Sequence, residues 1–239
     1  MGTITLLQST DGGFGSGATP VTSSAVGFAN PTNAGSLLIC LVWADALTIN
    51  QPITINLPVT SGFTWSAGVG ISEAYVNTSS HQHGIIKIFY ILNAASMPTS
   101  ATTTVEATQT SGTNLNVEFS LYEFAASATV YETAKVAANS TATPSTIETA
   151  ALTTAHTDLI FMAMISETAA GTAGSGFTIG VDSTELNGFG SAQYILQESA
   201  GTFTPAFGNS TTYWATLVVA FTVTAPTALP SEMMLLGAG

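Results

Sequence analysis

Asn33-Ala34-Gly35-Ser36-Leu37-Leu38-Ile39-Cys40-Leu41-Val42-Trp43 is a turn signal followed by an unbroken apolar run. Seven apolar positions bounded by Asn and Gly are too few for a core helix and suit a strand buried on both faces. Leu159-Ile160-Phe161-Met162-Ala163-Met164-Ile165 repeats the pattern in the second part of the chain. Residues 85–92 read the same way except at Lys87, whose stem is expected to snorkel outward. Leu115, Val117, Phe119 and Leu121 alternate with Asn116, Glu118, Ser120 and Tyr122, which predicts a strand with one dry and one wet face.

Working outward from these runs, Gly, Pro, Ser, Thr and Asn clusters interrupt the chain at short intervals, the spacing of an all-β domain. Further strands are predicted over 3–8, 22–28, 54–59, 64–67, 102–107, 128–136, 177–181, 192–198, 203–206 and 213–223. Gly13-Phe14-Gly15-Ser16-Gly17 reads as a flexible loop, because no strand–helix unit or Lys makes it a phosphate cradle. No window carries a helical stripe, and the Ala-rich pieces are interleaved with Thr, Ser and Gly.

An internal echo is visible. Each of the two apolar strands is followed by Ser-Gly-Phe-Thr, at 61–64 and at 175–178. Next come an aromatic-bearing strand (Phe89-Tyr90 against Gln193-Tyr194) and a long closing strand (115–124 against 213–223). The reading is a two-sheet antiparallel β-sandwich over residues 1–224, jelly-roll or immunoglobulin-like, whose two similar halves interleave their strands. Two separate small domains are the alternative. Residues 225–239 form a Pro-interrupted linker and an apolar arm, in which Met233, Met234, Leu235 and Leu236 are the candidate subunit-docking residues.

Composition excludes several functions. Lys87 and Lys135 are the only basic side chains in 239 residues, against fourteen Asp and Glu, and charged residues make up 7% of the chain. Without Arg the chain has no means of neutralising a run of phosphates, so no nucleic-acid partner is expected, and an anionic membrane would repel it. The outside is expected to be hydroxyl and amide. Cys40 is the only cysteine and lies within the first apolar run, so it reads as a buried thiol. The N-terminus has neither a basic n-region nor a long apolar h-region. The expectation is either that a leader has been removed or that the protein leaves its cell by lysis, as virion proteins do.

Catalytic motifs are weak. Serines are plentiful, but no Gly-x-Ser-x-Gly elbow precedes a helix. Glu118 and Glu123 are the carboxylates a glycosidase would need, yet their opposite parity sets them on different faces, and a solvated role is expected for both. His81-Gln82-His83 has the spacing for one metal ion but reads as a loop tip. Asp11, Asp45 and the stretch Asp182-Ser183-Thr184-Glu185 sit in predicted loops, which makes Ca²⁺ the one candidate ion; no EF-hand pattern is present. Trp65 and Tyr75, in a Gly-rich connection, are the candidate platform for a glycan.

Four short stretches carry a resemblance: Ile4-Thr5-Leu6-Leu7-Gln8-Ser9, Asn33-Ala34-Gly35-Ser36-Leu37-Leu38-Ile39, Tyr122-Glu123-Phe124 and Trp214-Ala215-Thr216. On these the chain resembles Ser/Thr/Gly-rich β-sandwich modules of phage virion proteins and bacterial surface proteins, over most of residues 1–224. The resemblance implies display, adhesion or virion assembly and brings no site residues. The functional expectation is a non-enzymatic virion structural protein of a bacteriophage, either a capsid decoration (cement) protein or a tail or fibre component. It would form a homo-oligomer and contact other virion proteins at the virion exterior. The alternative is a secreted, extracellular carbohydrate-binding or adhesive surface module.

Overall fold

The computed structural model describes residues 4–47, 52–66, 69–70, 75–77, 82–125, 127–138, 146–155, 158–183, 185–186, 188–197, 200–208 and 213–224. All regular structure among them is antiparallel β, without a helix. Residues up to 124 supply β1 (Leu6–Gly17), β2 (Val21–Thr22), β3 (Ser36–Ala46), β4 (Ile53–Ile55), β5 (Val59–Thr60), β6 (Val69–Gly70), β7 (Tyr75–Asn77), β8 (Gln82–Ala94), β9 (Thr103–Thr104), β10 (Glu106–Gln109) and β11 (Leu115–Phe124). Residues from 127 supply β12 (Ser127–Ala138), β13 (Ile147–Glu148), β14 (Leu152–Thr154), β15 (Asp158–Ser166), β16 (Thr178–Ser183), β17 (Phe189–Gln197), β18 (Gly201–Phe203), β19 (Ala206–Phe207) and β20 (Trp214–Thr224).

One large sheet has the order β1-β11-β3-β8-β6, with β7 also on β8, and the other has the order β12-β20-β15-β17-β16. The short strands form β2-β10-β4, β5-β9, β13-β19 and β14-β18. Among the described residues no strand before 125 pairs with one after 126. The expected interleaving within shared sheets is therefore not seen. Each ladder closes within its own stretch, which keeps the loops to be closed shorter.

The two unbroken apolar runs became β3 and β15, each flanked on both sides by longer-range partners and fully buried along its length. Their alternate positions feed different cores. Leu37, Ile39, Leu41 and Trp43 of β3 join Leu159, Phe161, Ala163 and Ile165 of β15 in one cluster that draws on both large sheets. Leu38, Cys40, Val42 and Ala44 pack on the other side with Phe89, Phe119 and Trp65. Ile160, Met162 and Met164 pack with Ile147, Leu152, Phe207 and Trp214. Full burial of each of the Leu, Ile, Val, Phe and Met side chains among them contributes about 1.5–3 kcal/mol before chain entropy is subtracted.

β11 departs from its predicted wet face, since all ten of its residues are buried. Leu115, Val117, Phe119 and Leu121 face the core of the first stretch, while Tyr122 and Phe124 enter the cluster shared by both large sheets. Parity is readable in the sequence; the second sheet covering the other side is not.

Gly13-Phe14-Gly15-Ser16-Gly17 is the second departure. It is strand, paired with β11 from Gly13↔Phe119 to Gly17↔Leu115 after a register shift between Thr10 and Gly13. A Cβ on Gly13 would lie 1.8 Å from the Phe119 ring, and one on Gly15 would lie 2.4 Å from the Thr22 carbonyl oxygen. The glycines give up side-chain volume so that an aromatic ring and a neighbouring backbone can approach. Lys87 also differs from expectation. Its ammonium lies 4.9 Å from the Phe89 ring centroid on its own strand and donates to the Ile55 carbonyl (3.2 Å) at the end of β4, so it reaches from the large sheet to the β2-β10-β4 sheet.

Candidate functional site

Polar side chains interrupt the shared core at one end, and most of the carboxylates singled out in the sequence meet there. Asp45 continues the parity of Leu37, Ile39, Leu41 and Trp43, so it points between the large sheets, where it is fully buried. Its carboxylate accepts from Asn116 Nδ2 (2.9 Å) on the adjacent strand and from the Gly188 amide (3.2 Å), which belongs to the second stretch. One step along β11 on the same face, Glu118 lies opposite Trp43 in the ladder and is 1% exposed. Ser183, the last residue of β16, donates its hydroxyl to Glu118 Oε2. Ser120, next on that face, donates to Asp11 Oδ1 (3.2 Å).

The electrostatics follow from this crowding. Burial pushes the Glu118 carboxyl up to about 7, helped by the negative charges of Asp11 and Glu185 and opposed by the Ser183 hydroxyl and the Glu185 backbone amide. Burial likewise raises Asp11, with Glu185 adding to the rise and Ser120 and the Gly12 amide opposing it. Asp182 is raised by burial and by Asp11, against its hydrogen bond with Ser191. Burial also drives the Tyr122 phenol well above its usual range. The Tyr122 hydroxyl oxygen accepts from the Val181 amide (3.0 Å), a second tie between β11 and β16. A third tie crosses the core, where Trp43 Nε1 donates to the Met164 carbonyl (2.9 Å). Gly190 lies against the same indole, with no room for a Cβ.

Glu123 is on the opposite face, as its parity predicts, but it is 1% exposed rather than solvated. Its two oxygens accept from Gln8 Nε2 (2.6 Å), the Asn33 amide (2.6 Å) and Ser36 Oγ (2.9 Å). Gln8 in turn exchanges two hydrogen bonds with the Asn30 backbone. One carboxylate thus clamps β1, the turn before β3, and β11. Glu118 and Glu123 are therefore buried structural groups on two sides of one sheet and offer no acid–base pair to a substrate lying on either face.

No family model, curated protein or solved structure matches this chain.

For the calcium candidates, Asp11, Asp45, Asp182 and Glu185 come to the same end of the fold, yet among the described residues no three His, Cys, Asp or Glu side chains are grouped as ligands of one ion. Trp65 is 2% exposed and donates its indole N–H to Thr60 Oγ1 (2.9 Å), so it is a core residue and presents no face to a glycan. Tyr75 lies in β7 opposite Gly84, and its ring is outside the described residues. Met233, Met234, Leu235 and Leu236 also lie outside them, as do His81 and the side chain of His83. Sequence reasoning missed the junction itself. Its available signal was Asp45, a carboxylate at the inward parity of an otherwise apolar strand.

Proposed function

We propose that this chain is a non-enzymatic virion structural protein, a capsid decoration (cement) or tail or fibre component, in which each stretch is a jelly-roll β-sandwich. One observation carries the reading. Numbering the long strands of each stretch by chain order, both large sheets run first, last, second, third: β1-β11-β3-β8 and β12-β20-β15-β17. In the first stretch the short strands visited between them form β2-β10-β4. In the first stretch this alternation between a large and a small sheet is what a jelly-roll winding would produce, and the matching order of the second large sheet supports the same reading there; jelly rolls are much used in capsid proteins.

Fold alone does not assign a task. The surrounding chemistry supports a structural one. Buried carboxylates are spent on ties between strands, and almost no long charged side chains remain to be immobilised in subunit contacts. Assembly as a homo-oligomer, with the 225–239 arm docking on a neighbour, completes the proposal. The deciding experiment is molar mass by light scattering at rising protein concentration, for the full chain and for a version ending at residue 224. The reading expects a closed oligomer that loses subunits without the arm. A chain that stays monomeric at every concentration and binds glycans on an array would overturn it in favour of an adhesive module.

A further inference from the structure

We propose that the Glu118 carboxyl, buried between β11 and the end of β16 among other carboxylates, is a proton-operated latch: protonated, it holds the two large sheets together at that end, and ionised, it releases them. The surroundings of the group decide which form is at ease. On its own strand it is flanked on the same face by Asn116 and Ser120, and across the ladder by the Trp43 indole. From β1 it faces Asp11, from β3 Asp45 lies beyond Asn116, and from the second stretch it faces Ser183 and Glu185, while Asp182, the neighbour of Ser183 in β16, is tied to Ser191. The charges whose fields reach it are both negative, Asp11 and Glu185. A carboxylate in that position has one hydroxyl and one amide to stabilise its charge and two like charges opposing it.

The neutral acid fits this setting. It keeps the Ser183 hydrogen bond through one oxygen and carries no charge against Asp11 or Glu185. As pH rises through about 7, the proton leaves to solvent and the new anion needs water. Which side yields is set by the ladders. β11 is held between β1 and β3, whereas among the described residues β16 is the last strand of its sheet and pairs with β17 alone, with a register shift between Ile179 and Asp182. The segment that follows is tied back by the Gly188 amide to Asp45. Opening therefore moves β16 and residues 185–186 and 188–190 away from β11, and leaves β3 and β15 in place.

Hydrogen–deuterium exchange of the full chain, digested with pepsin and corrected for intrinsic exchange rates, tests this between about pH 5 and about pH 8. Protection across residues 178–190 should fall on the order of tenfold to a hundredfold over that range, the span set by a proton bound more tightly when closed than when open. Peptides from β3 and β15 serve as the reference and should not follow. In Glu118→Gln the fall in 178–190 should vanish. In Asp11→Asn its midpoint should move to lower pH, because a like charge has been removed. Wild-type protection that is flat with pH, or an equal fall in Glu118→Gln, overturns the latch. If Glu118→Gln does not fold, an unmoved midpoint in Asp11→Asn overturns it instead.

Discussion

Replacing Glu123 by Ala removes the acceptor on which three separate pieces of the first stretch converge, and the cost can be worked from its partners. Gln8 Nε2 has a second acceptor in the Asn30 carbonyl at 3.1 Å, so it loses one bond without being stranded. The Ser36 hydroxyl can rotate toward another partner. The Asn33 amide cannot, since its direction is fixed by the turn and its 2.6 Å bond goes to Glu123 Oε1. Stranding that donor costs about 1–3 kcal/mol, and the two weakened bonds add about 1 kcal/mol each. The total is about 3–5 kcal/mol, a large part of the stability of an ordinary domain. Urea unfolding followed by far-UV circular dichroism, with equal m-values in both proteins, reads the loss directly. Glu123→Gln retains one acceptor oxygen but turns an NH₂ group toward donors, so it should lose about half as much. A loss below about 1 kcal/mol for Glu123→Ala would refute the clamp and mean that water replaces the carboxylate freely.

Other outcomes follow from the same contacts. Glu118 titrates near 7 in the folded chain against an ordinary 4.5, so the folded state binds more protons between those values; stability should be highest below 4.5, fall as pH rises to about 7, and level off above, by at most about 3 kcal/mol. Urea midpoints measured through that window check this, and an unchanged slope in Glu118→Gln would assign it to other groups. Trp43→Phe removes the indole N–H from the Met164 carbonyl and leaves part of the shared core unfilled, which should cost about 2–4 kcal/mol in the same assay; a change under about 1 kcal/mol counts against that bond joining the sheets. Gly13→Ala drives a methyl into the Phe119 ring and should cost about 1–3 kcal/mol. Phe119→Leu should be better tolerated in the Gly13→Ala background than alone, a coupling that a double-mutant cycle detects; strict additivity would mean that the two residues do not meet.

How much of this was legible in the sequence depends on what kind of signal each residue carries. Runs 37–43 and 159–165 were readable as strands with two dry sides because both parities are apolar, and they are the central strands of the two large sheets. Alternation along 115–124 also located the two faces of β11 correctly. It failed to tell a solvated face from one that meets a second sheet, because Asn116, Glu118 and Ser120 look alike in water and in a satisfied polar core. Gly13 and Gly15 mislead for a related reason. Composition treats glycine as a loop residue, whereas here it marks sites where Phe119 and the Thr22 backbone need the space. Trp65, in a Gly-rich connection, looks exposed in the sequence, but the Thr60 hydroxyl satisfies its indole inside the core. The meeting of Asp11, Asp45, Glu118, Asp182 and Glu185 spans most of the chain and follows only from sheet order, which strand patterns do not encode.

The tryptophans end up one to a core: Trp43 in the cluster shared by the large sheets, Trp65 among the packing of the first stretch, Trp214 in that of the second. Their indole nitrogens also differ. Trp43 donates to a backbone carbonyl, Trp65 to a hydroxyl, and Trp214 has no acceptor among the described residues. The chain thus carries three built-in fluorophores, one in each layer of packing. Single-tryptophan versions would show by emission colour which layer loosens first on heating, and whether the junction parts before either outer core melts.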